Sequence, residues 1–413
     1  MSQPCRRRDI CRLCGGNDLA RVLKLTPTPP ANAFIDAEHL NREQACFPLD
    51  VFFCKTCHHV QLLDVVDPAL LFENYVYVSG TSPSFVKHFE GYAEAVLERF
   101  APGPESLVVD IGSNDGTLLR AFKGRDMAVL GVDPARKIAE KATKSGIETI
   151  TGFFSAELAA EIRKTRGPAR IITANNVFAH ADDLSGIVGG IKALLADDGV
   201  FVFEVSYLAD VIEKTLFDTI YHEHLAYHSL GPLKRFFEDN GMTLFSADRV
   251  DSHGGSIRGF AGLSGHHDTD ASVAELIAAE ENSGLYRADT FVEFGRNIDA
   301  LGAELQKLTA SIKAEGKSIA GFGAPAKATT LMHHFGLGPE TIDFIVDDSP
   351  LKQNLFTPGH HIPVFPATTL YDRKPDYALI LAWNFARPIM ENHQAFQDAG
   401  GRFIVPLPEL EIT

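Results

Sequence analysis

From about residue 105 onward, short apolar runs alternate with segments of helical periodicity. Buried strands are predicted at Ser106–Ile111, Ala128–Val132, Ile171–Ala174 and Val200–Val205, and helices at Thr117–Phe122, Arg136–Ser145 and Ile187–Leu195. Alternation of this kind builds a parallel, doubly wound α/β sheet. The order then changes. Thr243–Val250, a turn through His253-Gly254-Gly255 and Ser256–Ala261 predict a hairpin that closes the sheet with an antiparallel last strand. A long polar helical stretch, about Ala271 to Glu315, leads to a second α/β run with strands at Ser318–Gly321, Ile342–Val346, Tyr377–Ala382 and Arg402–Val405. Ahead of both, the chain reads as loop-rich, with turns at Cys14-Gly15-Gly16-Asn17 and Thr26-Pro27-Thr28-Pro29-Pro30. A helical stretch from about Ser82 to Arg99 and a break at Pro102-Gly103-Pro104 follow. The expected division is 1–75, 76–268 and 269–413.

Composition narrows the class. Hydrophobic residues at 45% and charged residues at 22% are ordinary for a globular enzyme, and 413 residues exceed one ordinary domain. A net charge of −16 argues against nucleic acid, whose binding is driven by Lys/Arg neutralisation of phosphates. The basic run Arg6-Arg7-Arg8 reads as a solvated tail. The start, Met1 to Ile10, has no apolar core suited to a signal peptide, and no apolar stretch is long enough to span a bilayer. A cytoplasmic protein, monomeric or weakly dimeric, is expected.

All six cysteines fall within the first 57 residues. Four form the pairs Cys11-x-x-Cys14 and Cys54-x-x-Cys57, a metal signature in a reducing compartment. Zinc takes four thiolates at tetrahedral angles, and each C-x-x-C turn supplies two. With all four ligands from protein the zinc is structural. His58 or His59 could replace a cysteine, and Cys5 and Cys46 have no assigned role.

Val108-Val109-Asp110-Ile111-Gly112-Ser113-Asn114-Asp115-Gly116 joins a predicted strand to a helix. Glycines there let backbone approach a ligand, and a nucleotide would suit the helix N-terminus. Two acids favour S-adenosylmethionine (SAM). Asp110 suits the cationic methionine end, and Asp133, ending the next strand, can accept both ribose hydroxyls. The G-S-N-D-G turn lacks the middle glycine of the commoner methyltransferase pattern. Asn175-Asn176, just after the third strand, is the expected third contact. The cofactor-binding set is therefore Asp110, Gly112, Asn114, Gly116, Asp133 and Asn175.

Phe217-Asp218-Thr219-Ile220-Tyr221-His222-Glu223-His224 lies in a loop after a core strand, where doubly wound folds place their sites. A tyrosine, a carboxylate and two histidines suit acid–base chemistry near neutral pH. His180, Tyr75 and Tyr77 could join them. A metal reading of His222/Glu223/His224 is poor, because neighbours in an extended chain point to opposite sides. A polar loop without catalytic role is the competing reading.

Seven motifs in order carry a resemblance. They are the Cys-x-x-Cys pairs, Tyr75-Val76-Tyr77-Val78-Ser79-Gly80-Thr81-Ser82, Gly112–Gly116, Asn175-Asn176-Val177-Phe178-Ala179-His180, Tyr221–His224, Ser252-His253-Gly254-Gly255-Ser256-Ile257-Arg258 and Gly321-Phe322-Gly323-Ala324-Pro325-Ala326-Lys327. Over essentially the whole chain the sequence resembles the nucleotide-sugar C-3′-methyltransferases of deoxysugar pathways. The resemblance implies a zinc-binding domain, a class I SAM methyltransferase domain with a Rossmann-like core, and a second Rossmann-like domain that helps hold the nucleotide-sugar. It implies a 4-keto sugar substrate, with His224 as the base that removes the C-3′ proton. The resulting enolate attacks the methyl group of SAM. Tyr221, Glu223 and His180 would orient groups or stabilise the enolate oxygen, and Tyr75 or Tyr77 would close the pocket. Ser82, Lys327, Asn384, His253 and Arg258 are the substrate-binding candidates, with Lys327 beside a pyrophosphate at the second glycine-rich turn. That turn could instead belong to a duplicated fold with a vacant cofactor site.

Three rivals stand beside this reading. A NAD(P)-dependent oxidoreductase would use Gly321-x-Gly323 and Asp347, but leaves Asp110–Gly116 and the Tyr-His-Glu-His loop unexplained. A SAM-dependent O-methyltransferase shares the cofactor site. A non-enzymatic zinc-ribbon adaptor fits the acidic balance poorly.

Overall fold

The structure is a computed structural model that describes residues 4–72, 80, 83–252 and 254–413. Its N-terminal part is richer in strand than the turn signals predict. Strands β1 (Cys5–Arg7), β2 (Leu19–Thr28), β3 (Phe47–Cys54), β4 (Val60–Leu62) and β5 (Asp64–Val66) precede a short helix, Pro68–Phe72. β1 pairs with β5 antiparallel. Strands β2, β3 and β4 form an antiparallel sheet whose fourth member comes from far along the chain. The prolines read as turns sit in or just beyond the end of β2, where the β2–β3 register shifts between Leu25 and Thr28.

The central sheet contains β6 (Leu107–Ile111), β7 (Ala128–Asp133), β8 (Thr149–Thr151), β9 (Ala169–Asn175), β10 (Leu195–Ser206), then β12 (Met242–Val250) and β13 (Ser256–Leu263). The two-residue strand β11 (Ala226–Tyr227) leaves this unit and pairs antiparallel with β4 of the N-terminal sheet. Strand order is β12-β13-β10-β9-β6-β7-β8. β6 to β10 are mutually parallel, and β13 runs antiparallel between β10 and β12, as the hairpin requires. Apolar residues of β6, β9 and β10 are buried on both faces, which is why those strands read clearly from sequence. The edge strand β8 has three residues and no fully buried position, too weak a pattern to predict.

The C-terminal sheet holds β14 (Ile319–Phe322), β15 (Phe344–Val346), β16 (Val364–Phe365), β17 (Tyr377–Ile380), β18 (Arg402–Val405) and β19 (Glu411–Ile412) in the order β16-β15-β14-β17-β18-β19. The first five are parallel and β19 closes one edge antiparallel.

The long helical stretch is two helices, Ala271–Asn282 and Ala288–Ala314, parted where Gly284 adopts φ +74°. The first packs on β12 of the central sheet, and the second packs on β2. One continuous apolar core joins N-terminal Leu25, Val51 and Val60, loop residues Phe217, Ile220 and Leu225, and the C-terminal sheet. Among the described residues no helix is long and apolar enough to cross a membrane.

Glu280 anchors the first of those helices. Its buried carboxylate accepts from Leu230 N (2.7 Å), Gly231 N (3.1 Å), Tyr207 Oη (2.9 Å) and Tyr286 Oη. Glu280→Ala leaves the buried Leu230 amide without its acceptor and should destabilise the protein by about 2–4 kcal/mol, whereas Tyr207→Phe should cost about 1 kcal/mol. Urea unfolding of the two variants checks the ranking.

Candidate active site

Asp110, next to the last residue of β6, is buried and accepts from Thr173 Oγ1 at 2.6 Å. Burial pushes its carboxyl up to about 7, against the Thr173 hydrogen bond. Gly112 (φ +71°) turns the chain, and a Cβ there would lie 2.4 Å from Val177. Asn114 takes the left-handed φ of +51° that the missing glycine would have supplied, a conformation asparagine tolerates. Its amide donates to Asp133 Oδ2 at 2.8 Å, and Ala135 N donates to Asp133 Oδ1 at 2.8 Å. Burial raises the Asp133 carboxyl and these two bonds oppose it. Gly116 (φ +76°) opens the helix Thr117–Lys123, whose first turn Asp115 caps through Thr117. A Cβ on Gly80 would lie 2.4 Å from Asp115, so Gly80 closely approaches this turn. Asn175 ends β9 beside Tyr92, and its shielded amide atoms make no well-formed hydrogen bond among the described residues. These groups could hold the methionine and ribose ends of SAM.

The loop Phe217–His224 begins in the 3-10 turn Phe217–Thr219. His224 Nδ1 lies 2.7 Å from the Thr219 carbonyl. A carbonyl only accepts, so Nδ1 carries the proton and the lone pair of the neutral ring sits on Nε2. The ring stacks on His180 (5.0 Å between centroids) and packs on Tyr221 (4.1 Å). Burial first, then the neighbouring His224, hold His180 well below the usual histidine range, so it stays neutral. Leu225 N and Ala226 N both donate to Ala179 O (2.9 and 3.1 Å), which holds His180 beside His224. Glu223 is buried and accepts from Asn32 Nδ2 at 2.8 Å. His222 faces elsewhere: its Nε2 meets the Phe47 carbonyl at 3.1 Å, its ring packs edge-on to Phe47, and burial lowers it to about 4. Among the described residues the metal-binding geometry is confined to the four cysteines.

Those cysteines bring their Sγ atoms within 4.8 Å of one another, with Cys11–Cys57 and Cys14–Cys54 at 3.6 Å. Thiolates at about 2.3 Å from one tetrahedral zinc lie about 3.8 Å apart, so the set fits zinc and is far too wide for disulfides. His58 is sandwiched by Phe53 and Tyr286, and His59 stacks on His228.

The remaining candidates are scattered around these centres. Arg258 donates Nε (3.0 Å) and Nη2 (2.8 Å) to Glu204, which also meets His88 Nε2 and Ser252 Oγ at 2.8 Å. Burial would raise the Glu204 carboxyl, but these partners hold it at about 2. Lys327 Nζ lies 3.6 Å from Asp218 and 4.2 Å above the Trp383 ring. Asn384 follows Trp383, with Oδ1 buried and unbonded among the described residues. Asp347 repeats the Asp133 pattern, accepting from Ala324 N (2.6 Å) and Ser349 N (2.8 Å). Tyr75, Tyr77, Ser82 and His253 lie outside the described residues. The sequence reading missed Asn32, His88, Tyr92, Glu204 and Trp383, none of which stands in a recognisable motif, and gave no role to Asp218.

A parallel α/β sheet with an antiparallel closing strand, the Asp110–Asp133 turn and a four-thiolate zinc site together define a SAM-dependent methyltransferase carrying a structural zinc. Comparisons with known proteins agree part by part: residues 11–72 match a zinc binding domain family, 85–247 a methyltransferase domain, and 251–408 the C-methyltransferase C-terminal domain. The C-methyltransferase NovU of Streptomyces niveus is 38% identical over 402 residues, covering 97% of this chain and 96% of its own. The chain therefore belongs to this C-methyltransferase family. Solved structures similar to it include the magnesium protoporphyrin IX methyltransferase of Synechocystis PCC 6803 with bound SAH (15% identity, TM-score 0.35, 43% of this chain and 83% of that one). The PH0226 protein of Pyrococcus horikoshii OT3 is another (12% identity, TM-score 0.37, 48% and 98%).

SAM held through Asp110 should bind with a pH dependence set by that carboxyl. The cationic amino acid end favours the ionised form, so affinity falls as pH drops below about 7, approaching tenfold per unit. Because the folded value is raised, the SAM-free protein is most stable below the ordinary carboxylate range and loses that increment as pH rises through about 7. Calorimetric titration across pH checks the first statement, and Asp110→Asn should flatten the profile.

Proposed function

We propose that this C-methyltransferase acts on a nucleotide-linked 4-keto-deoxysugar, with His224 removing the C-3′ proton. The observation that carries the base assignment is the His224 Nδ1–Thr219 carbonyl bond, which leaves the basic lone pair on Nε2. A saturated sugar carbon is not nucleophilic until a proton is lost, so a carbon acceptor calls for an adjacent ketone. The C-3′–H electrons move onto the C-4′ oxygen as the proton passes to Nε2. When bound, SAM supplies the electrophilic methyl group that the enolate carbon takes. Tyr221 and Glu223 flank the base, and neutral His180 stacks on it; these three would orient the sugar and stabilise the enolate oxygen. Asp110, Gly112, Asn114, Gly116, Asp133 and Asn175 would hold SAM. Tyr75 or Tyr77 would close the pocket, with Ser82, His253, Arg258 and Asn384 toward the nucleotide-sugar.

The three-part division near residues 75 and 268 is supported by where the matched families begin and end, although the last begins at 251, inside the closing hairpin. Four reduced thiolates suit the cytoplasm. The acidic balance and the small-molecule chemistry support action without nucleic acid or membrane, as a monomer or weak dimer.

His224→Gln should bind SAM as wild type does yet lose turnover by roughly 100-fold or more. With a dTDP-linked 4-keto-deoxysugar deuterated at C-3′, wild type should release the deuterium to solvent during turnover, read by mass spectrometry. Methylation with the deuterium retained would mean oxygen, not carbon, is the acceptor.

A further inference from the structure

The second glycine-rich turn opens the helix Ala326–His334, and that helix meets the base loop along its length. Lys327, in the first helical turn, pairs with Asp218, whose Oδ2 also accepts from Trp383 Nε1 at 2.7 Å. Thr330 Oγ1 donates to the Ile220 carbonyl at 2.8 Å. His334 and Phe335 pack against the Phe217 ring, at 5.7 and 5.0 Å between centroids. Positions 327, 330 and 334 share one helical face. Thr329, beside them, donates to the Ala31 carbonyl at 3.1 Å, next to the Asn32 that holds Glu223. Asp218 and Ile220 flank Thr219, whose carbonyl fixes the His224 ring.

We propose that this helix is a bracket for the base loop: Asp218, Lys327, Thr329 and Thr330 are positioning residues that hold Thr219 and Glu223 where His224 can act. Lys327 thus serves an internal carboxylate in place of a substrate pyrophosphate. Asp218 is fully buried, so the lysine that would greet a phosphate is already neutralised inside the protein. The duplicated fold has kept its strand–turn–helix, and with it the Asp347 bonds that mirror those of Asp133, while its first helix carries the neighbouring domain's catalytic loop.

The proposal rests on His224 as the base, and the test separates the two. Asp218→Asn, Lys327→Met, the double variant and Thr330→Val are compared with His224→Gln. Measured are kcat and KM on a dTDP-linked 4-keto-deoxysugar, and Kd for SAM and for dTDP alone. Each bracket variant should lower kcat by roughly ten- to a hundredfold, because a small misplacement of a reacting group is costly, with both Kd values near wild type. The double variant should be no worse than the poorer single, because the pair acts as a unit. If one single variant fails to fold, the double, with both buried charges removed, and Thr330→Val still report kcat and dTDP binding. Weakened dTDP binding in Lys327→Met with a silent Asp218→Asn would overturn the bracket and return Lys327 to the phosphate. Wild-type kcat in every bracket variant, with His224→Gln inactive, would sink the bracket and leave the base standing. An active His224→Gln would remove the base assignment on which the proposal rests.

Discussion

The site depends on one short strand pairing. Ala226 and Tyr227 lie opposite Gln61 and Val60, which makes the strand just after the Phe217–His224 loop the fourth strand of the zinc-bearing sheet. Leu62 N donates to Leu225 O at 3.0 Å, extending the pairing toward His224. Arg12, next to the zinc ligand Cys11, is fully buried and donates to Gln61 Oε1 and to the Leu62 and Leu225 carbonyls. Two residues separate Cys57 from Val60. The thiolate cluster therefore adjoins both the Arg12 turn and the start of β4, the strand that pairs with the residues just after His224.

On its other side the loop is held by the helix Ala326–His334, and His180 is tied to it through the Ala179 carbonyl. Three parts of the chain thus meet at eight residues, Phe217 to His224. This explains why the continuous apolar core ignores the domain divisions suggested by sequence. The central sheet supplies Asp110 and Asp133, whereas the Phe217–His224 loop is held from the N-terminal sheet and the C-terminal helix. The two α/β units share the acid-to-turn hydrogen bonds at Asp133 and Asp347, and they diverge in what their first helix faces.

Much of this was legible in the sequence. Strands β6, β9 and β10 stand out because both faces are buried, and the paired C-x-x-C turns and the Asp110–Gly116 turn carry their chemistry in short local motifs. What stayed hidden depends on distant partners. Asn32 and Glu223 are 191 residues apart, and Asp218 and Trp383 are 165 apart; neither pairing leaves a local pattern. β11, at two residues, is too short for any periodicity. β2 and β3 pair mainly with each other across a gap occupied by turn residues, so the proline-rich run drew the reading toward loop. Lys327 was legible as a lysine after a glycine-rich turn, but its neighbour Asp218 lies too far away in sequence to show in any local pattern.

The claim that the zinc sheet sets the register of the base loop is tested most directly by amide hydrogen exchange on the zinc-loaded protein before and after chelation. Removal of the metal should speed exchange at Leu62, whose amide donates to the Leu225 carbonyl, and at Tyr227, which pairs with Val60, by about tenfold or more, while amides of β6, β7 and β9 keep their protection. Unchanged protection of Leu62 and Tyr227 in the metal-free protein would contradict the account.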